Sequence, residues 1–260
     1  MSSKPTVLVT GASTGIGATY AQRFAERGHN LVLVARNIEK LEANAARLRQ
    51  ETGVSIDLLP ADLTDETQLH GVEERLRTDA SIGILVNNAG SNVGGTFVTQ
   101  SIDDLTKLVT LNATSVLRLA HAVAPRFADK GEGAIINISS VLALAPEWQT
   151  SVYTATKAFV LSISQALQAE LGRSGVYVQA VLPAATRTDI WSFVDEDKRP
   201  PMMEVADLVD AALAGFDRRE GVTIPHLHEE AHWLAMEAAR NLLVQDTGHT
   251  AVADRYRAAH

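Results

Sequence analysis

Short apolar runs alternate with longer amphipathic stretches along most of the chain. The runs predict seven β-strands, at Thr6–Thr10, Leu31–Ala35, Ser55–Pro60, Gly83–Val86, Ala134–Ile138, Tyr177–Leu182 and Gly221–Ile224. Helical patterns lie between them, such as Ile38–Gln50, whose apolar residues recur on one face. The strands are apolar at nearly every position, which indicates parallel strands covered on both faces. The sequence therefore predicts an α/β fold: a single doubly wound, Rossmann-type parallel sheet with helices on both faces.

The 260 residues are expected to form one domain spanning residues 1–260, because single α/β domains often reach this size. The segment 189–203 mixes aromatic and charged residues with two prolines and predicts a mobile flap. A helical tail is expected at 229–259. Its apolar face should cover either the pocket rim or a partner subunit, and consists of Leu234, Ala238, Leu242 and Leu243.

The composition of the chain limits the kinds of molecule that it is expected to bind. The net charge of −8 disfavours binding to nucleic acid or to an anionic membrane. With no cysteine in the chain, disulfides, thiolate nucleophiles and cysteine-bound zinc are excluded. No signal-peptide pattern is seen at the N-terminus, and no apolar run approaches the roughly 18 residues that a membrane span needs. We therefore expect a cytoplasmic protein with no membrane partner.

A glycine-rich turn follows the first strand and opens the first helix. Glycines there allow a pyrophosphate to approach the backbone, and the helix N-terminus supplies free N–H groups. Because the spacing departs from GxGxxG, the motif alone also fits an ordinary βα turn. Its position after the first strand favours the dinucleotide interpretation. The candidate cofactor residues are Gly11, Ser13, Thr14, Gly15, Ile16 and Gly17.

The end of the second strand carries a cue to cofactor preference. Ala35 lies where a carboxylate would hold the ribose hydroxyls of NAD, and Arg36 follows it. A guanidinium can bind a 2′-phosphate bidentately, whereas a carboxylate would repel it. The alternative is an ordinary solvent-exposed arginine at a helix start. The pattern favours NADP(H) and leaves NAD(H) possible.

Tyr153 and Lys157 lie four residues apart and would share one face of a helix. A phenol titrates near ~10, and a neighbouring ammonium is expected to lower that pKa and so assist proton transfer. The pair alone is weak evidence, since random placement gives it about one chance in ten. Ser140 ends the strand before this helix and could polarise a carbonyl oxygen. Ser139 competes for that role, because only one of two adjacent strand residues can face the pocket.

These motifs together resemble the classical short-chain dehydrogenase/reductase family. The resemblance runs from about residue 6 to 190 and rests on the segment TGASTGIG, the run Asn87-Asn88-Ala89-Gly90, Asn112, Ser140 and the segment YTATK. It implies that Tyr153 is the acid/base, that Lys157 tunes it and holds the nicotinamide ribose, that Ser140 orients the substrate oxygen and that Asn112 anchors a relay water. Further cofactor contacts implied are Asp62 and Leu63 at the adenine, Asn88, Ala89 and Gly90 along the cofactor floor, Pro183 beside the nicotinamide, and Thr188 at the carboxamide.

Two positions depart from the family pattern. The family usually shows Pro-Gly after the sixth strand, where this chain has Pro183-Ala184. Members that favour NADPH often carry a second basic residue in the glycine turn, where this chain has Thr14. The first departure could reshape the loop beside the nicotinamide, and the second weakens the case for NADPH.

The segment from His228 to His232 formally matches the zinc-binding pattern HExxH. A zinc protease also needs a third ligand downstream, and Ala235 and Ala238 occupy the positions where the longer motif requires Gly and His. We therefore expect a surface helix and no bound metal.

Three functions remain open from the sequence. The first is an oxidoreductase that interconverts an apolar ketone, aldehyde or 3-oxoacyl-type carbonyl and its alcohol. The others are a nucleotide-sugar epimerase or dehydratase, and a catalytically silent NADPH-binding regulator. The pocket is expected between Ser91–Phe97, Leu142–Trp148 and the flap residues Trp191, Phe193, Met202 and Met203. A homodimer or homotetramer is expected through the helix that carries Tyr153, which is apolar on more than one face.

Overall fold

A computed structural model describes residues 4–148, 150–192 and 194–257 of the chain. Seven parallel strands form one sheet: β1 Thr6–Thr10, β2 Leu31–Ala35, β3 Ile56–Pro60, β4 Ile82–Asn87, β5 Gly133–Ile138, β6 Val176–Val181 and β7 Val222–Thr223. All seven predicted strands are therefore confirmed to within two residues at either end. No bound differs by more than one residue, and β7 pairs with β6 through only two residues.

Helices cover both faces of this sheet. They are α1 Gly15–Glu26, α2 Ile38–Thr52, α3 Glu66–Thr78, α4 Ile102–Val109, α5 Ser115–Lys130, α6 Ser151–Leu171 and α7 Val205–Asp217, followed by α8 Glu230–Gln245. A π-helical turn at Thr110–Thr114 joins α4 to α5, and short 3₁₀ turns occur at Val141–Leu144 and elsewhere. The predicted helix over Ile38–Gln50 is α2, which continues for two more residues. The doubly wound α/β fold predicted from the sequence is confirmed.

The sheet is buried on both faces, as its apolar strands predicted. In β1, Val7 and Val9 belong to one core cluster and Leu8 belongs to another on the opposite face. The first cluster includes residues of α1, α2 and α7, and the second includes residues of α3 and α5. Alternate strand residues point to opposite faces, so a strand covered by helices on both sides is apolar throughout.

The strand order places the functional residues at one edge of the sheet. The order is β3-β2-β1-β4-β5-β6-β7, so the chain reverses its direction of winding between β1 and β4. In open α/β sheets, ligands bind outside the carboxyl ends of the strands at such a switch point. The glycine turn leaves β1 there, and Asn88-Ala89-Gly90 leaves β4 beside it.

The chain divides into two compact units at Pro225, and the second unit contains α8. None of the residues of α8 is buried, and Leu234, Leu242 and Leu243 are exposed. Within the described part of the chain, no helix has both the length and the apolar character to cross a bilayer. The assignment of residues 1–260 to one domain stays a prediction.

Candidate active site

The glycine turn has a backbone that only glycine allows at three positions. Gly11 and Gly15 have φ angles of +67° and +56°, in the left-handed region that side chains disfavour. A Cβ on Gly17 would lie 2.3 Å from the carbonyl oxygen of Gly11, which is far closer than atoms can approach. The turn and the first turn of α1 are therefore packed closely together, and the three glycines present no side chains of their own to a ligand.

Hydrogen bonds from the segment that directly follows β4 hold this turn in place. Asn88 Nδ2 donates to the carbonyl oxygens of Thr10 at 2.9 Å and Gly11 at 3.3 Å. The Thr10 hydroxyl accepts from the main-chain N–H groups of Asn88 and Ala89, both at 3.0 Å. Asn88 was predicted as a cofactor residue, but the structure shows that it also shapes the turn. Thr10 was missed, because its role depends on a contact with a distant strand.

The start of α1 suits an anion. Thr14 caps the helix with extended backbone and no side-chain cap hydrogen bond, and the first turn contains no acidic residue. Free N–H groups and the positive end of the helix dipole therefore face the space above the turn. The bare glycine cradle and this helix end fit the pyrophosphate of a dinucleotide, with Ser13 and Ile16 at the same turn.

Arg36 and Asp62 lie together at the ends of β2 and β3. The Arg36 side chain is 73% exposed, and its Nη1 lies 3.8 Å from Asp62 Oδ2. Burial acts to raise the pKa of Asp62, but hydrogen bonds from Thr64 and the charges of Arg36 and Lys107 lower it overall. Leu63 is buried in the core, so only its main chain is available to a ligand. A carboxylate and a guanidinium thus lie side by side where the adenosine end is expected.

Tyr153, Lys157 and Ser140 come together at the carboxyl end of β5. Lys157 Nζ donates to the carbonyl oxygen of Ile138 at 2.9 Å and lies 5.7 Å from the centroid of the Tyr153 ring. The Ser140 hydroxyl is close enough to the Tyr153 phenol to lower the pKa of the phenol. The phenol, hydroxyl and ammonium therefore form one cluster, as the predicted tetrad requires.

The pKa values in this cluster are set mainly by removal from water. Burial raises the pKa of Tyr153 to about 12, and the Ser140 hydroxyl opposes that rise. Burial lowers the pKa of Lys157 to about 8. The expectation that Lys157 lowers the phenol pKa below its ordinary value is wrong for the protein alone, because desolvation is the largest influence on that pKa and raises it. At neutral pH the phenol is protonated and can act as an acid.

Geometry separates the two adjacent serines. Ser139 Oγ donates to the main-chain carbonyl of Lys157 at 2.7 Å, so it faces the body of α6. Ser140 Oγ faces the phenol and accepts from the N–H of Leu142 at 3.1 Å. This is the alternation expected of consecutive residues at a strand end. Ser140 is therefore the serine in the cluster, and Ser139 fixes the helix that carries Lys157.

Asn112 lies in the π-helical turn, where it bonds to the segment after β4. Its Nδ2 donates to the carbonyl of Ser91 at 2.9 Å, and its Oδ1 accepts from the N–H of Ser91 at 3.0 Å. The Asn112 amide also reaches Thr156 Oγ1 at 3.3 Å, and that hydroxyl donates to the carbonyl of Tyr153 at 2.7 Å. A Cβ on Gly90 would lie 3.3 Å from Asn112 Oδ1 and 3.5 Å from Lys157 Nζ, so Gly90 lies directly beside both of these side chains. Thr156 was not predicted, although it stands inside the YTATK segment.

The loop after β6 covers the glycine turn. A Cβ on Gly15 would lie 3.2 Å from Thr188 Cγ2, which places Thr188 directly above the turn. Pro183 is held through its carbonyl, which accepts from the N–H of Val141 at 2.9 Å. Ala184 does not have a positive φ; among the described non-glycine residues that conformation occurs at Arg219. The alanine in place of the family's glycine therefore introduces no left-handed strain.

A β-bridge between Thr186 and Met203 joins the two ends of the segment that contains the predicted flap. Met203 packs against the core, so it anchors the flap rather than lining a pocket. Trp191 and Met202 are partly buried, whereas Phe193 lies outside the described residues. The other predicted pocket boundaries end in exposed aromatic residues, since Phe97 is 62% and Trp148 65% exposed.

The HExxH segment lies in the second unit, at the start of α8. Among the described residues, no group of three or more His, Cys, Asp or Glu side chains is arranged to hold a metal ion. The expectation of a surface helix agrees with the exposure of α8.

Comparison with known proteins identifies the family. The family model for short chain dehydrogenases matches residues 5–199, which include the glycine turn and the Tyr153–Lys157 pair. This chain belongs to the short-chain dehydrogenase/reductase family. The resemblance stated from the motifs is therefore confirmed.

Two solved structures cover nearly the whole chain. A short-chain dehydrogenase from Sphingobium yanoikuyae in complex with NADPH is 60% identical, with a TM-score of 0.95 over 97% of this chain and 100% of that one. A bulky-bulky ketone specific alcohol dehydrogenase from Comamonas testosteroni is 53% identical, with a TM-score of 0.93 over 99% of this chain and 100% of that one.

A curated human relative is more distant. The 17-beta-hydroxysteroid dehydrogenase type 3 of Homo sapiens is 36% identical over 190 residues, or 72% of this chain. The match spans 61% of that relative's own length.

Proposed function

We propose that this chain is an NADPH-preferring oxidoreductase that interconverts an apolar ketone, aldehyde or 3-oxoacyl-type carbonyl and its alcohol. The observation that carries the proposal is the cluster of Ser140, Tyr153 and Lys157 beside a bare glycine cradle. Among these substrates we favour a ketone with two bulky substituents, because the Comamonas relative is described as specific for that class. No observation favours the epimerase or the silent regulator.

NADP(H) is the preferred cofactor. The Sphingobium relative, at 60% identity, was solved with NADPH. In this chain, Arg36 is exposed at the end of β2 and Ala35 removes the carboxylate that would repel a 2′-phosphate. The glycine turn would hold the pyrophosphate, Asp62 the adenine end and Thr188 the carboxamide, and Asn88, Ala89 and Gly90 would line the cofactor floor.

The proposed chemistry divides between cofactor and protein. A nicotinamide cofactor, when bound, would supply the hydride that the carbonyl carbon needs. Tyr153 donates its proton to the carbonyl oxygen, and Ser140 donates a hydrogen bond that holds this oxygen toward the phenol. Lys157 stabilises the resulting phenolate by its charge and is placed to hold the nicotinamide ribose. Because both ends of the Asn112 amide bond to Ser91, a relay water would be bound by the Asn112 main-chain carbonyl.

A substrate panel tests this function. Purified protein should oxidise NADPH with apolar ketones, aldehydes and acyl thioesters, and turnover should be highest with ketones bearing two bulky groups. Activity confined to nucleotide sugars would contradict the proposal, and so would cofactor binding without turnover on any carbonyl.

Ser140→Ala is expected to reduce turnover much more than Ser139→Ala. Loss of one hydrogen bond to a developing oxyanion typically costs roughly 10²–10³ in rate. Ser139 bonds only to the main chain of α6, so its removal should mainly lower thermal stability. The measurements are kcat and the melting temperature of both variants. A larger loss of kcat in Ser139→Ala than in Ser140→Ala would show that Ser139 orients the substrate oxygen.

The rate of carbonyl reduction is expected to fall as the pH rises above about 8. Burial lowers the pKa of Lys157 to about 8, so its ammonium is fully present below that pH and is lost above it. The neutral amine can no longer stabilise the phenolate that forms when Tyr153 gives up its proton. The measurement is kcat against pH at saturating NADPH, with melting temperatures as a control for unfolding. A rate that stays constant through about pH 10 would contradict this role.

We propose that the protein forms a homodimer or homotetramer through α6. Its exposed positions recur every three or four residues and are small or apolar: Ala155, Phe159, Ser162 and Ala166. Phe159→Arg should lower the sedimentation coefficient to that of a monomer, because it would bury a charge in the interface. Val98→Arg is a matched control, since Val98 is 88% exposed on a loop. A wild-type protein that is already monomeric would rule out this assembly. Cytoplasmic location stays a prediction.

A further inference from the structure

Three successive carbonyl oxygens of the glycine turn accept hydrogen bonds from asparagine side chains. Asn88 bonds to the carbonyls of Thr10 and Gly11, as described above. The third carbonyl, of Ala12, accepts from Nδ2 of Asn44 at 3.1 Å. Ala12 is fully buried, and its own N–H donates to the carbonyl of Val34 at 3.2 Å. Both polar groups of this residue are therefore bonded to elements outside the turn.

The orientation of the Asn44 amide is fixed from both ends. A carbonyl oxygen can only accept, so the group that faces Ala12 must be the NH₂. On the other side, Arg47 Nη2 donates to Asn44 Oδ1 at 3.0 Å, and a guanidinium can only donate. Arg47 is itself paired with Glu51 at 2.7 Å. The two neighbours require the same assignment of the amide.

This bond controls a donor on the opposite side of the turn. In a trans peptide the C=O and the following N–H point in opposite directions. The carbonyl of Ala12 points to Asn44 on α2, so the N–H of Ser13 in the same peptide unit points away from α2. Without the bond, this peptide could rotate, and a buried carbonyl would lose its partner.

We propose that Asn44 is a positioning residue for the dinucleotide, which holds the Ala12–Ser13 peptide so that the Ser13 N–H faces the pyrophosphate. The inference rests on the proposed function, since it requires that the glycine turn bind NADP(H). In this proposal Asn44 acts through the Ala12 carbonyl and not through the reacting atoms or the 2′-phosphate. It connects the pyrophosphate turn to α2, the helix that follows Arg36.

The test is a fluorescence titration of NADPH and NADH against two variants. Asn44→Leu removes the whole amide, and Asn44→Asp keeps the acceptor for Arg47 but loses the donor to Ala12. Both variants should raise the Kd of both dinucleotides by the same factor, roughly threefold to tenfold, because the pyrophosphate is common to them. The kcat at saturating NADPH should stay at the wild-type value. Arg47→Ala, which leaves the bond to Ala12 intact, should bind both cofactors like the wild type.

Three results would overturn the inference. If the variants melt at lower temperature but bind both dinucleotides normally, the contact is merely structural. If they lose affinity for NADPH alone, Asn44 acts through the 2′-phosphate end instead of the pyrophosphate. If the wild type itself binds neither dinucleotide, the proposed function is wrong and this inference is wrong with it. If the wild type binds them and the Asn44 variants also bind normally, this inference alone is wrong.

Discussion

Replacing Tyr153 by phenylalanine is expected to reduce turnover by roughly 10²–10⁴ while leaving the Kd for NADPH close to that of the wild type. The substitution removes only the hydroxyl, which is the proton donor in the cluster with Ser140 and Lys157. Burial holds the pKa of this phenol at about 12, so it is fully protonated and available as an acid at neutral pH. No other described side chain that could donate a proton hydrogen-bonds with Ser140.

Steady-state reduction of a bulky ketone and a fluorescence titration of NADPH provide the two measurements. Tyr20→Phe is a matched control, because Tyr20 is fully buried in the core and its hydroxyl has no hydrogen-bond partner among the described residues. Its removal should leave turnover unchanged. Near-normal turnover in the Tyr153 variant would show that a different group supplies the proton.

Most of the fold could be predicted because its signal is local. Most strands are short runs that are apolar at nearly every position, and the burial of Val7, Leu8 and Val9 on two faces is what such a run requires. The predicted β7 was one residue too long at each end, because only Val222 and Thr223 are in register with β6, although the Gly221 carbonyl still accepts from the N–H of Ala180. Pairing depends on the neighbouring strand rather than on the run itself.

In the candidate site, too, the features that depend on one local segment could be predicted, and those that depend on distant contacts could not. The spacing of Tyr153 and Lys157 is a property of one helix, so it could be read from the sequence. The choice between Ser139 and Ser140 could not, since it depends on which side of β5 faces α6. The contacts of Asn44 and Thr156 join elements far apart in the sequence, and no local pattern indicates them. The raised pKa of Tyr153 follows from burial, which is also a property of the folded chain.

Arg36 is expected to give the wild-type protein a tenfold to hundredfold lower Kd for NADPH than for NADH. A charge-assisted contact with the 2′-phosphate is worth ~1.5–3 kcal/mol, which corresponds to roughly that ratio. The guanidinium is available for this contact, because its side chain is 73% exposed and its pairing with Asp62, at 3.8 Å, is long. An exposed ion pair of this kind stabilises the protein only slightly, so breaking it to bind the phosphate costs little free energy.

Two variants separate the contribution of Arg36 from that of the missing carboxylate. Arg36→Ala should raise the Kd for NADPH by the same roughly tenfold to hundredfold factor and leave the Kd for NADH nearly unchanged. Ala35→Asp combined with Arg36→Ala should reverse the preference, because the new carboxylate would accept from the ribose hydroxyls and repel a phosphate. Titration of both cofactors against the wild type and the two variants gives the ratio of the two Kd values for each protein. If the wild type binds the two cofactors equally, Arg36 remains in solvent, and the 2′-phosphate must be recognised elsewhere or not at all.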